Sequence, residues 1–255
     1  MNVLSLFAGI GGLELGLERA GMTVVGQVEI DEYCRRVLAK NFPGVPQHDD
    51  VRTAVEWWQS QQRPRIDLVC GGFPCQPFSL AGFQLGINDE RWMWPAMAHV
   101  VRQLRPRYVL VENVSALVRD RVAFGIILAD LAALGFDAEW SVLHATEFGA
   151  PTLRERVYLL AYPAGIDGQS RDLLEPGGVG GPSLTARGLS GLAAPQRGGR
   201  AREWLAREPR VARLVDGVPH QVERNRVMGN AVVPQISEHI GHMVLDFDAC
   251  LEVAA

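Results

Sequence analysis

The residue best suited to take part in a chemical reaction is Cys75. It lies in the segment Gly71-Gly72-Phe73-Pro74-Cys75-Gln76, which follows the apolar run at 66–70. Open α/β sheets bind ligands at the loops beyond the carboxyl ends of their parallel strands. The prolines on either side of Cys75 stiffen this loop. A thiol on that loop is a strong nucleophile when its pKa is lowered. A lone cysteine after a buried strand is more often inert packing, so spacing alone leaves both interpretations open.

A glycine-rich turn and two acids predict a second chemical feature, a pocket for an adenosine-containing cofactor. The turn Ala8-Gly9-Ile10-Gly11-Gly12 lets the backbone approach a ligand closely, although it fits the dinucleotide pattern G-x-G-x-x-G poorly. Glu29 follows the second strand and is suited to accept both ribose hydroxyls, and Asp50 follows the third and is suited to an adenine amino group. Each acid alone is also compatible with a helix N-cap or a solvated turn.

The elements that must position these residues alternate between strand and helix signals, which predicts a doubly wound, Rossmann-like, mostly parallel α/β sheet. Strands are predicted at 2–7, 23–28, 45–48, 66–70 and 108–111, and helices at 13–20, 31–41, 53–61, 92–104, 123–134 and 233–244. The segments 137–145 and 156–161 are joined by a connection too short for a helix. They predict an antiparallel hairpin that finishes the sheet.

The clearest boundary in the chain begins at residue 162, where the composition becomes rich in Gly, Pro and Ser. We therefore expect a cofactor-binding domain at 1–163, a small irregular region at 164–224 and a C-terminal helix at 225–255 that completes the first domain.

The formal net charge is −4, yet residues 187–226 carry nine arginines against four acids. This basic segment favours phosphate contact, and a solvated surface loop is the alternative.

The composition excludes several classes of protein. Hydrophobic residues make up 47% of the chain, but no apolar run reaches the ~18 residues of a membrane span. We expect no signal peptide and a cytoplasmic location. The four cysteines show no paired C-x-x-C pattern and no histidine at metal spacing, so we expect free thiols, no disulfide framework and no metal.

Five segments in order resemble the cytosine-C5 DNA methyltransferases, which use S-adenosylmethionine. The proline-cysteine loop and the Glu-Asn-Val segment are specific to that family, whereas the glycine turn is widely shared. The segments span most of the chain: Ser5 to Gly12, Gly72 to Ser79, Glu112-Asn113-Val114, Phe148 to Pro151 with Arg154-Glu155-Arg156, and Gly229 to Pro234.

The resemblance implies a covalent mechanism on a cytosine flipped out of duplex DNA. Cys75 would add its thiolate to C6, because C5 alone is a poor nucleophile. Glu112 would give a proton to N3, and burial would keep its carboxyl protonated. By the same resemblance, Arg156 would bind the base O2 and Arg154 a phosphate or the catalytic loop.

The resemblance also implies the binding residues. S-adenosylmethionine, released as S-adenosylhomocysteine, would contact Phe7, Ala8, Gly9, Gly11, Gly12, Glu29, Ile30, Asp50, Val51, Pro74, Trp94, Asn230 and Val232. Double-stranded DNA would contact Gln76 and Ser79 on a lid formed by residues 73–91. The target-recognition region at 164–224 would add Arg187, Arg197, Arg200, Arg202 and Arg207. We expect a monomer without membrane contact and, as a further partner, a restriction endonuclease that acts separately.

Two departures from the family pattern stand out. Thr152 occupies the position of a usual glutamine, and Trp92 that of a usual glycine.

The favoured interpretation is a DNA methyltransferase for restriction-modification or phage DNA protection. The alternatives are a tRNA cytosine-C5 methyltransferase and a catalytically inactive DNA-binding relative. A nicotinamide-dependent oxidoreductase would leave Pro74-Cys75 unexplained.

Overall fold

The computed structural model describes residues 1–74, 92–150, 152–165 and 231–254. In these residues a mixed sheet carries helices on both faces. Residues 75–91, which contain Cys75 and most of the predicted lid, lie outside the described residues. Nearly all of the predicted recognition region lies outside them too, including the five arginines predicted to contact DNA.

The sheet in the described part of the chain has seven strands in the order β3-β2-β1-β4-β5-β7-β6. The first five run parallel, while β7 is antiparallel to both β5 and β6. The predicted doubly wound fold with a terminal antiparallel hairpin is therefore confirmed. Its strands are β1 (Asn2–Leu6), β2 (Thr23–Val28), β3 (Gln47–His48), β4 (Leu68–Gly71), β5 (Tyr108–Val114), β6 (Phe136–His144) and β7 (Glu155–Pro163).

Seven α-helices accompany these strands within the described ranges. They are α1 (Gly12–Arg19), α2 (Glu32–Asn41), α3 (Ala54–Gln59), α4 (Trp94–Leu104), α5 (Ala116–Arg119), α6 (Arg121–Ala133) and α7 (Pro234–Ala254). The side chain of Asp31 accepts a hydrogen bond from Cys34 N–H and caps α2, and Asp120 caps α6 in the same way. The last helix is longer than its sequence pattern predicted, and β5 extends three residues beyond the predicted end.

The core is divided between the two faces of the sheet. On one face, apolar side chains of α3, α4, α5 and α6 pack against β1, β4 and β5 around Trp58, Trp94 and Ile127. On the other face, α1 and α7 cover the sheet, with Leu17, Ile240 and neighbouring side chains in the interior. Burial on both faces explains the nearly continuous apolar sequence of the central strands.

Glycines allow α7 to pack closely against α1 although the two helices are far apart in the chain. A Cβ on Gly12 would collide with the carbonyl oxygen of Val232, and one on Gly16 with Ser237 and the carbonyl of Pro234. A Cβ on Gly241 would lie 2.7 Å from that of Ala20. The C-terminal helix is thus held directly beneath the glycine turn, close to the carboxyl ends of the parallel strands.

The described helices include none that is both long and apolar enough to cross a membrane. The described residues also contain no group of three or more His, Cys, Asp or Glu side chains arranged to hold a metal ion.

Candidate active site

A cavity of about 280 Å³ opens at the carboxyl edge of the sheet. Its walls come from the β1 turn, the end of β2, the loop after β4, the end of β5 and the start of β7. Among the described residues, the lining consists of Phe7, Ala8, Gly9, Ile10, Gly12, Leu13, Glu29, Ile30, Asp31, Cys34, Gly72, Phe73, Pro74, Glu112, Asn113, Val114, Arg154, Arg156, Ala231 and Val232. Parallel strand ends meet here, as expected for an open α/β sheet.

Glu29 forms the polar part of the β2 wall. Gly9 N–H donates to its Oε2 at 2.7 Å, and Asp31 N–H donates to its Oε1 at 2.8 Å. A carboxylate oxygen accepts more than one hydrogen bond, so each oxygen keeps capacity for a further donor. The carboxylate is therefore fixed in orientation and can still accept two hydroxyl groups from a ligand.

The glycine turn beside Glu29 is built from residues in the left-handed region of backbone space. Gly9 has φ 57° and Gly11 φ 92°, while Phe7 has φ 54°. That conformation is uncommon for a bulky residue, and its cost is borne by the surrounding hydrogen bonds. Ala8 N–H donates to Val28 O at 3.1 Å, and Gly11 N–H donates to Ala8 O at 3.0 Å. At Gly9 and Gly12, which carry no side chain, the turn brings its backbone to the cavity.

Ile30 supplies an apolar surface next to this turn. Its side chain is 74% exposed, although it is a large hydrophobic residue that lines the cavity. Val232, just before α7, lines the same cavity and contacts the turn through its backbone. Such exposed apolar surface beside a hydrogen-bonding carboxylate is suited to a flat aromatic ring with an attached sugar.

Glu112 dominates the opposite wall and is only 6% exposed. The antiparallel pairing of β5 with β7 brings Val114 opposite Arg156. Arg156 Nε then lies 3.3 Å from Glu112 Oε1, and Arg154 Nη2 lies 3.6 Å from the same oxygen. Burial raises the pKa of the Glu112 carboxyl above its usual range, while the two guanidinium groups oppose that rise. The carboxyl therefore holds a proton more readily than an exposed glutamate.

Asn113 holds the loop after β4 against this wall. Its side-chain N–H donates to Phe73 O at 3.1 Å, and its side-chain oxygen accepts from Val114 N–H at 2.9 Å. The Phe73 ring is buried and packs edge-on against Trp92, with a centroid distance of 5.4 Å. Phe73 is therefore held by both its backbone and its ring, and Pro74, which follows it and precedes Cys75, lines the cavity.

A family model for the C-5 cytosine-specific DNA methylases matches residues 1–172. The chain belongs to this family. The matched part contains every cavity residue of the β1, β2, β4, β5 and β7 walls, and the rest of the chain contributes α7 with Ala231 and Val232.

Similar curated proteins include several Type II methyltransferases. The Type II methyltransferase M.NgoBI of Neisseria gonorrhoeae is 36% identical over 168 residues, which cover 65% of this chain and 51% of that protein. The Type II methyltransferase M.NaeI of Lentzea aerocolonigenes is 33% identical over 224 residues, with coverage of 85% and 52%. The aligned part of this chain therefore spans about half the length of each of these two relatives.

Two solved structures are similar to this chain in fold. A candidate DNA modification methyltransferase encoded within a prophage (E. coli) is 28% identical with a TM-score of 0.55, covering 69% of this chain and 49% of that one. The DNMT2 structure from Spodoptera frugiperda has a TM-score of 0.54 and 24% identity, covering 65% and 50%. The similarity to the DNMT2 structure shows the fold alone.

Several residues predicted from the family motifs meet at the cavity. Glu112, Arg154 and Arg156 lie together on one wall. The residues predicted for the cofactor that line the cavity are Phe7, Ala8, Gly9, Gly12, Glu29, Ile30, Pro74 and Val232.

Four other predicted cofactor residues do not line the cavity. Trp94 is fully buried in the core, where its indole N–H donates to Asp130 at 2.8 Å and its ring packs against Phe73. Asp50 caps the 3-10 helix Val51–Thr53, with its carboxylate bound by the Arg52 guanidinium, which lowers the Asp50 pKa. The remaining two are Val51, which is buried in the core, and Gly11, which packs near Phe42.

The predicted residues Cys75, Gln76, Ser79 and Asn230 lie outside the described residues, as do the recognition arginines. Conversely, the sequence interpretation gave no role to Asn113, Asp31 or Cys34, which all line the cavity. Asn113 had a usable signal, because it stands within the Glu-Asn-Val segment. Asp31 also had one, as an acid at a predicted helix start.

Proposed function

We propose that this chain transfers a methyl group from S-adenosylmethionine to C5 of a flipped-out cytosine in duplex DNA, through a covalent bond between Cys75 and C6. One observation carries this proposal. The buried carboxyl of Glu112, flanked by Arg154 and Arg156, shares a cavity with Pro74, the residue before Cys75. A buried acid thus lines the same cavity as the residue that precedes the proposed nucleophile in the chain. Attack on an electron-poor ring requires an acid and a nucleophile to act together.

In this mechanism the Cys75 thiolate forms a bond to C6, the electron pair of the C5–C6 double bond shifts to the bond between C5 and C4, and the C4–N3 pair moves onto N3. The proton of Glu112 passes to N3 and neutralises the charge that develops there. When bound, S-adenosylmethionine supplies the electrophilic methyl group that C5 accepts. A base then removes the C5 proton, the C5–C6 double bond re-forms and Cys75 leaves as a thiolate, while N3 returns its proton to the Glu112 carboxylate. Arg156 and Arg154 hold the base O2 and a nearby phosphate or the catalytic loop.

The β1–β2 wall fits an adenosine-containing cofactor. The Glu29 carboxylate has free acceptor capacity on both oxygens, which matches the two hydroxyls of a ribose. The exposed side chain of Ile30 offers an apolar face to the adenine. Phe7, Ala8, Gly9 and Gly12 would contact the rest of the cofactor through the open backbone of the turn, and Pro74 and Val232 would close the pocket.

We further propose that residues 164–224 recognise the target sequence and that their arginines contact phosphates or guanines. DNA binding should then weaken steeply with salt, because phosphate contacts release counterions. The Type II relatives favour a role in restriction-modification, with an endonuclease acting separately. Protection of phage DNA would use the same reaction.

The test is incubation of the purified protein with tritium-labelled S-adenosylmethionine and either mixed-sequence duplex DNA or total tRNA, followed by nucleoside analysis. Cys75→Ser is the test variant. Cys250→Ser on α7 is the matched control, because Cys250 is not among the residues that line the cavity. We expect 5-methylcytosine in DNA from the wild type and the control only.

The other outcomes separate the alternatives. Label found only in tRNA would replace the proposal with the RNA methyltransferase. Label in neither nucleic acid, together with retained DNA binding, would identify an inactive DNA-binding relative. Methylation that survives Cys75→Ser would overturn the covalent mechanism.

A further inference from the structure

Arg35, on the first turn of α2, makes two hydrogen bonds that fall outside the regular structure of the helix. Its Nη1 donates to Glu29 O at 2.8 Å and to Ile30 O at 2.7 Å. Both distances are those of strong, charge-assisted hydrogen bonds. One guanidinium nitrogen therefore joins two consecutive carbonyl groups between the end of β2 and the start of α2.

The two residues that Arg35 holds, Glu29 and Ile30, both line the cavity at the end of β2. Glu29 directs its carboxylate toward the glycine turn, and Ile30 exposes its side chain beside it. The segment between them and α2 is short, with Asp31 capping the helix and Arg35 N–H donating to Asp31 O at 2.9 Å. Arg35 thus joins a rigid helix end to the peptide groups of both residues.

The position of Arg35 separates it from direct contact with a ligand. It is not among the residues that line the cavity. It bonds the backbone of Glu29 and leaves the carboxylate oxygens to Gly9 and Asp31. A cation that paired with the carboxylate itself would occupy the acceptor sites needed for ribose hydroxyls. Donation to the carbonyl groups fixes the residue without that competition.

We infer that Arg35 is a positioning residue for cofactor binding, which sets the orientation of the Glu29 carboxylate and the Ile30 side chain toward the adenosine half of S-adenosylmethionine. The inference rests on the proposed function, because it concerns the same pocket. Without Arg35, water can bond both carbonyl groups, so the hydrogen bonds are replaced but their geometry is lost. The effect should appear in binding more than in stability.

The experiment compares Arg35→Gln with Arg36→Gln in the full-length protein. Arg36 is the next residue on α2, and its guanidinium pairs with exposed Glu32 at 2.6 Å. We expect Arg35→Gln to raise KM for S-adenosylmethionine roughly tenfold, comparable to the loss of a charge-assisted hydrogen bond. The kcat and the KM for DNA should stay at wild-type values. Arg36→Gln should leave all three constants unchanged.

Two additional measurements distinguish positioning from general destabilisation. The inhibition constant of 5′-methylthioadenosine, which retains the adenosine half, should rise by the same factor as KM for the whole cofactor in Arg35→Gln. The Tm should change by no more than a few degrees. Arg35→Lys keeps a cationic donor near the two carbonyl groups, so it should recover part of the lost affinity.

Three results would overturn the inference. The first is a KM for S-adenosylmethionine in Arg35→Gln equal to that of Arg36→Gln. The second is a joint rise in both KM values with a large fall in Tm, which is the pattern of a structural defect. The third is Arg35→Lys no better than Arg35→Gln. A wild-type protein that binds no S-adenosylmethionine in calorimetry would instead refute the proposed function, so the two failures are distinguishable.

Discussion

On the β2 wall of the cavity, backbone N–H groups of Gly9 and Asp31 hold the Glu29 carboxylate, whereas on the β5 wall Glu112 lies buried between two guanidinium groups. Hydrogen bonds from backbone N–H groups fix the orientation of the Glu29 carboxylate and leave it able to accept further hydrogen bonds. Burial favours the protonated form of an acid even beside cations. The same residue type is thus suited to hold a sugar on one wall and to give a proton on the other.

Glu14, on α1 behind the β2 wall, extends this comparison. Glu14, like Glu112, is a buried acid, and its side chain has no exposed surface. In contrast to Glu112, no arginine or lysine is among the groups that shift the pKa of Glu14. Burial raises its pKa from 4.5 to about 7, and the neighbouring Ser5 hydroxyl only partly opposes that rise. Cationic partners therefore distinguish Glu112, the acid proposed to give a proton, from the buried acid Glu14.

The largest expected effect comes from Glu112→Gln, which keeps the size of the side chain but removes its acidic proton. We expect the rate of methyl transfer to fall about 10²- to 10⁴-fold, the usual contribution of a positioned general acid. The affinity for S-adenosylmethionine should not change, because Glu29 is on the other wall. Single-turnover transfer of labelled methyl groups and calorimetric titration measure the two quantities. An equal loss in transfer rate and in cofactor affinity would show that the two walls do not have separate roles.

The reverse pattern is expected for Glu29→Ala. Loss of hydrogen bonds to a charged acceptor costs about 1.5–3 kcal/mol, so KM for S-adenosylmethionine should rise roughly 10- to 100-fold. The kcat at saturating cofactor should stay near the wild-type value. Steady-state kinetics at several cofactor concentrations provide the check, with Glu56→Ala on the exposed side of α3 as control. A fall in kcat without a change in KM would contradict the assignment of Glu29 to binding.

Glu14→Gln tests the buried acid that lacks cationic partners. A pKa of about 7 in the folded state and 4.5 in the unfolded state means that folding favours the protonated acid. This contribution is fully present below pH 4.5 and is lost as pH rises through 7. Relative to Glu14→Gln, the wild-type free energy of unfolding should fall by about 3 kcal/mol over that range.

Urea unfolding of both proteins between about pH 5 and pH 8 measures this difference. Charged groups near Glu14 are Glu18 on its own helix and Glu29 at the end of β2, and both favour its protonated form. Parallel stability curves for the two proteins would show that Glu14 does not titrate in this range.

The smallest effect is expected for Gly72→Ala, which probes how closely the loop after β4 approaches Glu112. A Cβ on Gly72 would lie 2.9 Å from Glu112 Oε2 and 3.3 Å from its carbonyl oxygen. Displacement of that carboxyl should lower turnover roughly tenfold, in line with the cost of overpacking, without changing cofactor affinity. Gly125→Ala on α6 is the matched control, because nothing lies within 4 Å of its Cβ. Equal turnover in the two variants would mean that the carboxyl has room to move.

Local patterns in the sequence were sufficient for the fold class and for much of the β2 wall. The apolar periodicity located the strands, and alternation with helices implied a parallel sheet, whose carboxyl ends must share one edge. Glu29 and the glycine turn immediately follow strands, so their meeting at that edge follows from chain order. The family motifs added Glu112, Arg154 and Arg156 by resemblance.

Only the tertiary structure decided which partners those residues have. Arg156 reaches Glu112 because β7 pairs antiparallel with β5 in a particular register, which no local pattern specifies. Trp94 and Asp50 matched family positions, yet one is buried in the core and the other is bound by Arg52. The link from Arg35 to two carbonyl groups likewise depends on how α2 follows β2.

The physical reason for this division is the range of the interactions. Strand and helix formation depends on side chains a few positions apart, so the sequence by itself determined the elements, their order and the edge of the sheet at which the cavity lies. Burial, ion pairing and the pKa of Glu112 depend on atoms brought together from distant parts of the chain. Those properties became defined only when the sheet had formed and its two faces were covered.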